Sequence, residues 1–494
     1  MKTKLCVSLF VDNISDTIQR ANSAIKKGAD VVEFRLDTIE KNYFTLDNFI
    51  HKLKQNKLLS KSIFTVRSKK EFGKWKYSEQ ERKSFLLEIA KYQPTFLDIE
   101  FANGVQFIKQ VKFISPQTTF ILSFHTKQIS PSQLFSLYNK MKSYNCDVIK
   151  IAVEMNTVEQ TLPLFSLLEN AKSEKQKLIA VGIGKKGEAT RILAQKYNAF
   201  LTFASADNSS QTASGQISLL TLLKTYNFKS INSRTKVFAL LGNPVSHSKG
   251  IYVHNAAFRK TKTNAVYINC EMENINQFRK LSYNGFSITA PHKQSVIKFL
   301  DNISPTVKQI GAVNTVVKRN DKLLGKNTDG VGFRESIPKN VNLENKNIAV
   351  LGCGGAAKSI IAILKRENAN ITIFNRTITK AKQLANHFSC NYDSLDNFPK
   401  TYFDVLINTI PFSVSKYFSK QFSLANKNWK GKIVCDIIYN PTETPFLQTA
   451  KKNGATIVQG WKMFLYQAIM QFELFTNKKA PIDVMKNVLL KSLQ

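Results

Sequence analysis

Over the first 220 or so residues, short runs of aliphatic, β-branched and aromatic side chains recur at a regular beat. They are KLCVSLFV (4–11), DVVEFRLD (30–37), KSIFTVRS (61–68), TFLDIEF (95–101), TFILSFH (119–125), CDVIKIA (146–152), KLIAVGI (177–183) and AFLTFAS (199–205). Each run has strand length and strand composition. Between them, segments such as ERKSFLLEIAKY and SQLFSLYNKMKSY carry apolar residues at helical spacing. Strands alternating with helices predict a parallel sheet. Eight such units within about 220 residues predict a closed (β/α)8 barrel.

The rhythm breaks at NFKSINSRTK (227–236), a short polar stretch read as a domain junction. A new strand, VFALLG (237–242), opens a second α/β region reaching to about Lys339. Then NIAVLGCGGAAKSIIAIL reads as a strand, a glycine-rich turn and a helix, the start of a dinucleotide-type (Rossmann) domain. A final amphipathic helix is expected around 463–476. The expected fold is therefore α/β throughout. Its parts are a barrel over 1–228, a second domain over 236–339 completed by C-terminal helix at 463–494, and a nucleotide-binding domain over 340–462.

Composition narrows the function classes. The chain carries 71 Lys and Arg against 35 Asp and Glu, a net charge of +36. That excess raises nucleic acid as a partner, but the lysines are spread along the whole length with no basic run and no nucleic-acid motif. The expected partners are small anionic substrates, which a basic surface helps to gather. No apolar run approaches the roughly 20 residues of a membrane helix. The apolar start ends at Asp12 without a cleavage site, so a cytoplasmic protein is expected. The six cysteines form no CxxC pair, which argues against a zinc or disulfide framework, and no metal is expected.

Barrel active sites lie at the carboxyl ends of the strands. Here those ends are charged: Glu33 and Arg35 on strand 2, Arg67 on strand 3, His125 on strand 5 and Lys150 on strand 6. Lys150 stands between Ile149 and Ile151, and loss of hydration inside a barrel favours the neutral, nucleophilic amine. Such a lysine can form an imine with a ketone, and His125 could then move a proton at the adjacent carbon.

In the glycine-rich turn, Gly352, Gly354 and Ala357 give GxGxxA between strand and helix. The first glycine permits the turn and the second lets backbone approach a pyrophosphate, so Gly352, Cys353, Gly354, Gly355 and Ala356 are candidate cofactor contacts. Where NAD enzymes carry an acid after the second strand, this chain reads Asn375-Arg376-Thr377, with Lys380 beyond. Cations there suit the 2′-phosphate of NADP or NADPH.

The pieces VEFRLD, TVRSKKEFG, LSFHTK, VIKIAV, GEATR and TASGQI, in that order, resemble the type I 3-dehydroquinate dehydratases. The resemblance implies dehydration of 3-dehydroquinate through an imine on Lys150, with His125 transferring protons and Glu71 orienting it. It implies substrate contacts from Ser8, Glu33, Arg35, Arg67, Arg191, Thr212 and Gln216. Thr212 stands where that family usually has serine, and Ser214 replaces its proline.

The second half is similar to shikimate dehydrogenases through GNPVSHSKG, SITAPHK, GAVNTV, KNTDGVGF, GCGGAA, NRT, DIIYNPTETP and QGWKMFLYQA. That resemblance implies Lys293 as proton donor to a carbonyl, with Asp329 pairing with it and holding its position. Ser246, Ser248, Gly250, Thr289, Asn314, Tyr439 and Gln467 match substrate positions, and Ile437 and Gly460 match cofactor positions. Gly250 departs from the pattern, where a serine is usual. His292, beside Lys293, is given no role. Together the two resemblances imply an enzyme of two consecutive shikimate-pathway steps. The alternatives are a catalytically dead regulator on the same folds, or a second half that also uses quinate.

Overall fold

The computed structural model describes residues 2–40, 44–207, 211–411 and 428–494. It divides into two compact units, Met1–Thr235 and Lys236–Gln494. Among the described residues, no helix is long and apolar enough to cross a membrane.

In the first unit, parallel strands run β1 (Lys4–Phe10), β2 (Val31–Arg35), β3 (Ser62–Thr65), β4 (Phe96–Glu100), β5 (Thr119–Thr126), β6 (Val148–Glu154), β7 (Lys177–Ile183) and β8 (Leu201–Ser205), with a short β9 (Ile217–Ser218). Their order is β7-β6-β5-β4-β3-β2-β1-β8-β9, so each strand of the first seven neighbours the next in sequence. The N–H of Phe200, just before β8, donates to Leu178 O of β7 at 2.8 Å and joins the two ends of the curled sheet.

Strand alternation sorts the side chains into two faces. Val7, Leu9, Phe34, Phe64, Leu97, Ile149 and Ile151 alternate with the inward residues and are buried. Cys6, Val31, Ile63, Phe96, Ile121, Val148 and Ile179 form an apolar cluster at one level of the interior. Two and four residues further along the same faces come Ser8, Glu33, Arg35, Thr65, Asp98, Glu100, Ser123, His125 and Lys150. The register, which pairs Ser8 with Glu33 and Ser123 with Lys150, brings these polar residues to common levels.

The polar 227–236 stretch is no loose linker. Phe228 and Ile231 are buried, because a 3₁₀ turn over Phe228–Ser230 swings them inward, and Lys196 Nζ holds Ser233 O and Thr235 O at 2.9 Å each.

The second unit holds two six-stranded sheets. The first comprises β10 (Lys236–Gly242), β11 (Ala265–Glu271), β12 (Gly285–Ile288), β13 (Asn302–Ile303), β14 (Thr315–Arg319) and β15 (Lys322–Lys326). It is mixed, in the order β11-β10-β12-β14-β15-β13, with β14 antiparallel to β12 and β15. The second comprises β16 (Asn347–Leu351), β17 (Asn370–Asn375), β18 (Asn391–Ser394), β19 (Val405–Asn408), β20 (Ile433–Asp436) and β21 (Thr456–Gln459). Its pairings are parallel and its order is β18-β17-β16-β19-β20-β21. This is the doubly wound 3-2-1-4-5-6 order, whose switch point between the first and fourth strands is where ligands bind.

The chain does not end on one helix over 463–494. A helix over Gly460–Thr476 stops at Asn477, which takes a left-handed conformation, and a separate helix over Ile482–Leu493 follows Pro481. The left-handed cap and the proline both break the run.

Candidate active sites

In the barrel, one hydrogen-bonded network joins residues from six strands or their ends. Glu33 accepts from Ser8 Oγ at 2.6 Å and Thr65 Oγ1 at 2.9 Å. Lys150 Nζ reaches Asp98 Oδ2 at 2.9 Å and Glu33 Oε1 at 3.4 Å, and lies 4.5 Å from the centre of the Phe203 ring. Arg67 Nη2 pairs with Asp98 Oδ1 at 2.7 Å, and its Nη1 donates to Ser123 Oγ at 2.7 Å. Nη1 also approaches Glu71 and Glu100 at 3.4 Å each. Glu71 Oε2 accepts from the backbone N–H of His125 at 3.1 Å and lies 2.9 Å from its Nδ1.

The apolar setting expected for Lys150 does not hold. Alternation turns Ile149 and Ile151 to the other face, and the amine meets two carboxylates instead. Burial, and then Arg67, Lys150 and Arg35, hold the His125 imidazole well below its usual range, so it is neutral at pH 7. Burial, with Glu100 and Asp98 adding to it against the pull of Arg67, pushes the Glu71 carboxyl up to about 8. For Asp98, burial is overcome by Arg67 and Lys150, which hold it at about 2. A neutral base, its carboxyl partner and a primary amine thus share one interior face.

The remaining predicted barrel residues stand around this network. Arg35 forms a two-pronged pair with Asp37 at 2.7 and 2.8 Å. Arg191 is buried, donates to Gly182 O, and has an Nε with no partner among the described residues, a donor suited to an anion. Gln216 and Thr212 bond each other, Gln216 Nε2 donating to Thr212 Oγ1 at 3.1 Å. Asp98, Glu100 and Ser123 are the additions; the alternating D-x-E of FLDIE carried the signal.

In the second unit, Lys293 Nζ meets Asp329 Oδ2 at 2.5 Å. Asp329 Oδ1 accepts from Asn314 Nδ2 at 2.7 Å, and Asn314 Oδ1 accepts from Thr315 Oγ1 at 2.7 Å. Gln471 backs this arrangement: its Nε2 donates to Asn314 O and Thr315 Oγ1 at 3.1 Å each, and its Oε1 accepts from Ser287 Oγ at 2.8 Å. His292 is buried and its Nε2 lies 2.7 Å from Met272 O, away from the Lys293–Asp329 contact.

Ser248 and Tyr439 are bonded, and burial raises the Tyr439 hydroxyl. A Cβ at Gly250 would lie 3.2 Å from Tyr267 Cε1 and 3.4 Å from Ser248 Oγ. Ser246 is exposed, and Thr289 and Gln467 are half-buried. A Cβ at Gly332 would meet the Gln467 backbone at 2.8 Å, so the glycine lets the Asp329–Ser336 helix approach the Gly460–Thr476 helix.

The glycine-rich turn fits a dinucleotide. Gly352 has φ of +106°, and a Cβ there would sit 2.6 Å from Thr409 Oγ1 at the switch point. A Cβ on Gly354 would meet nothing within 4 Å, leaving its backbone approachable. Cys353, Gly355 and Ala356 follow into the helix Gly355–Arg366. A Cβ on Gly355 would lie 3.1 Å from Lys293 Cδ, so the proton-donor candidate packs against the turn. Burial raises the Cys353 thiol to about 11, against the opposing charges of Lys380 and Lys358. Asn375 Nδ2 donates to Thr377 O at 3.0 Å, while Arg376 and Lys380 are exposed and form no ion pair among the described residues. Buried Asp436 accepts from Asn408 Nδ2, Thr444 Oγ1 and the Ile438 N–H at 2.6–3.1 Å, which shapes the turn bearing Ile437 and Tyr439. Gly460 is closed in, since a Cβ would lie 2.4 Å from Ile438 O.

Four family models match the chain: type I 3-dehydroquinase over 5–233, shikimate dehydrogenase substrate binding domain over 240–316, shikimate / quinate 5-dehydrogenase over 335–432, and shikimate 5′-dehydrogenase C-terminal domain over 460–490. A chloroplastic bifunctional 3-dehydroquinate dehydratase/shikimate dehydrogenase of Arabidopsis thaliana is 31% identical over 513 residues, spanning 99% of this chain and 84% of the relative. The shikimate biosynthesis protein AroDE of Chlamydia pneumoniae is 31% identical, spanning 90% of each. A shikimate dehydrogenase (NADP(+)) of Methanobrevibacter smithii is 40% identical, spanning 53% of this chain and 99% of the relative.

Proposed function

Because this chain belongs to the bifunctional 3-dehydroquinate dehydratase/shikimate dehydrogenase family, enzymes of the shikimate pathway, we propose that it performs the two steps at Lys150 and at the Lys293–Asp329 pair. The dehydratase occupies 1–228. The dehydrogenase comprises a substrate domain over 236–339, completed by the C-terminal helices, and a nucleotide domain over 340–462.

The observation that carries the first step is the placement of Lys150, Glu33, Asp98, Arg67, Glu71 and His125 in one buried network. Once its extra proton passes to water, the Lys150 amine attacks the ketone of 3-dehydroquinate, and water leaves as the imine forms. Neutral His125 then takes a proton from the carbon next to the imine. The same proton returns to the departing hydroxyl, which leaves as water, and hydrolysis frees 3-dehydroshikimate and the lysine. Arg191, whose Nε has no partner among the described residues, and Arg35 offer charge to the substrate carboxylate, and Ser8, Thr212 and Gln216 offer hydrogen bonds.

In the second step a nicotinamide dinucleotide, when bound, would supply the hydride that the carbonyl carbon of 3-dehydroshikimate takes up. Lys293 donates a proton to the carbonyl oxygen, and Asp329, braced by Asn314, keeps the ammonium aimed. Ser248, Tyr439, Thr289 and Gln467 bind the substrate. Gly352–Ala356, Ile437 and Gly460 would hold the cofactor, and Asn375, Arg376, Thr377 and Lys380 would take a 2′-phosphate, which would favour NADP over NAD. The six free cysteines, four of them buried, fit a reducing compartment such as the cytoplasm.

Borohydride added with 3-dehydroquinate tests the first step. The reduced adduct falls on Lys150; an adduct on another lysine, or none, refutes the assignment.

A further inference from the structure

The barrel network has an outer layer that the reaction above does not use. Arg82, on the helix Glu79–Lys91 that follows β3, is 1% exposed although arginine ordinarily seeks water. Its Nη1 donates to Val66 O at 2.9 Å, its Nη2 to Asn103 Oδ1 at 2.8 Å, and its Nε to Glu79. Nη2 also pairs with Glu100 Oε2 at 3.1 Å. The other oxygen of Glu100 accepts the Ser68 N–H at 2.8 Å. Residues 66 and 68 are thus held from two sides, with Arg67 between them.

We infer that Arg82 and Glu100 form a brace that fixes the segment bearing Arg67 and tunes the Glu71–His125 pair, so that both are positioning residues for the dehydration. The inference rests on reading the barrel as a dehydratase. Buried ion clusters gain little net stability, since desolvation offsets their attraction. Two arginines and their carboxylates kept out of water at the end of β3 and β4 therefore call for a role beyond holding the fold. The groups facing Glu71 are Arg67 from the end of β3, Asp98 and Glu100 from β4, and His125 from β5. Asp98 already serves Lys150 and Arg67. Glu100 is the carboxylate joined to the helical layer, and its charge disfavours a second negative charge on Glu71. Ionised Glu71 would strengthen His125 as a base, so Glu100 sets the pH at which that happens.

The test uses the full chain with Glu100→Gln and Arg82→Lys, measuring kcat and KM for 3-dehydroquinate dehydration from pH 6 to 10. Shikimate oxidation by the same preparations normalises for active protein. The unmodified chain shows kcat rising through a step near pH 8, the value to which Glu71 is pushed. Glu100→Gln moves that step down by about one pH unit or more, a shift that general loosening would not produce. Arg82→Lys keeps the charge but loses the fork, and lowers kcat/KM several-fold with the step in place. A Glu100→Gln profile that superimposes on the parent, or an Arg82→Lys variant at full activity, overturns the brace. Should Glu100→Gln not fold, Arg82→Lys decides alone. An unmodified chain that does not dehydrate 3-dehydroquinate overturns the reading of the barrel, and the brace with it.

Discussion

The ammonium of Lys150 lies 2.9 Å from Oδ2 of Asp98, whose other oxygen lies 2.7 Å from Nη2 of Arg67. One buried carboxylate therefore pairs with both the Lys150 amine and the Arg67 guanidinium. Asp98→Ala leaves two buried cations short of a partner. Removing one member of a buried ion pair costs about 3–5 kcal/mol. Urea unfolding followed by a barrel-specific signal should show a loss of that order, and an unchanged midpoint would contradict the network.

Arg376 stands exposed after β17 with no ion-pair partner among the described residues. A charge-assisted bond to a 2′-phosphate contributes about 1.5–3 kcal/mol, roughly ten- to a hundredfold in affinity. Arg376→Ala should raise KM for NADP by that factor and leave KM for NAD alone. Equal use of both cofactors by the unmodified chain would refute the preference.

At Gly250, the direction a side chain would take is already filled by the Tyr267 ring, 3.2 Å from the Cβ position. A serine side chain there would be crowded, and the expected substrate is shikimate rather than quinate. Steady-state oxidation should show higher kcat/KM for shikimate, and Gly250→Ser should not improve it. Quinate turnover matching shikimate turnover would reverse this conclusion.

His254 is buried with its ring stacked on Tyr267 at 4.4 Å, and its Nδ1 has no partner among the described residues. Burial lowers it to about 3, a little relieved by its bond to Gln471. A depressed histidine contributes stability that is present above the unfolded value near 6.5 and is lost as pH falls towards 3. Between pH 8 and 5 the second unit should lose about 2 kcal/mol on this account. His254→Phe gives up the Gln471 bond at every pH but should flatten that slope. Parallel acid profiles for the two proteins would exclude His254 as the cause.

Much of this was legible because strand periodicity and strand-end chemistry coincide in a barrel. VEFRLD and VIKIAV give both the strand and the functional residue, since alternation fixes which residues look inward. Asp98 and Glu100 were missed although FLDIE carries them on one face, because acids on a strand read equally well as solvent-facing until neighbouring strands are in register. The environment of Lys150 was misread for the same reason: sequence neighbours on a strand are not spatial neighbours. Arg82 lies in a segment whose helical spacing alone does not mark it as buried. Only the tertiary fold, which folds its guanidinium between Val66 and Glu100, does so. The helix expected around 463–476 is present as Gly460–Thr476, while a single helix to 494 is not, because Asn477 and Pro481 break an otherwise helical pattern.

The most direct test of the account is a coupled reaction with the purified chain, supplied with 3-dehydroquinate and NADPH alone. NADPH consumption and shikimate formation should match. Lys150→Ala should abolish consumption from 3-dehydroquinate yet leave it intact from 3-dehydroshikimate, and Lys293→Ala should abolish both while 3-dehydroshikimate still accumulates from 3-dehydroquinate. Shikimate formed from 3-dehydroquinate at the parental rate by Lys150→Ala, or from 3-dehydroshikimate by Lys293→Ala, would contradict it.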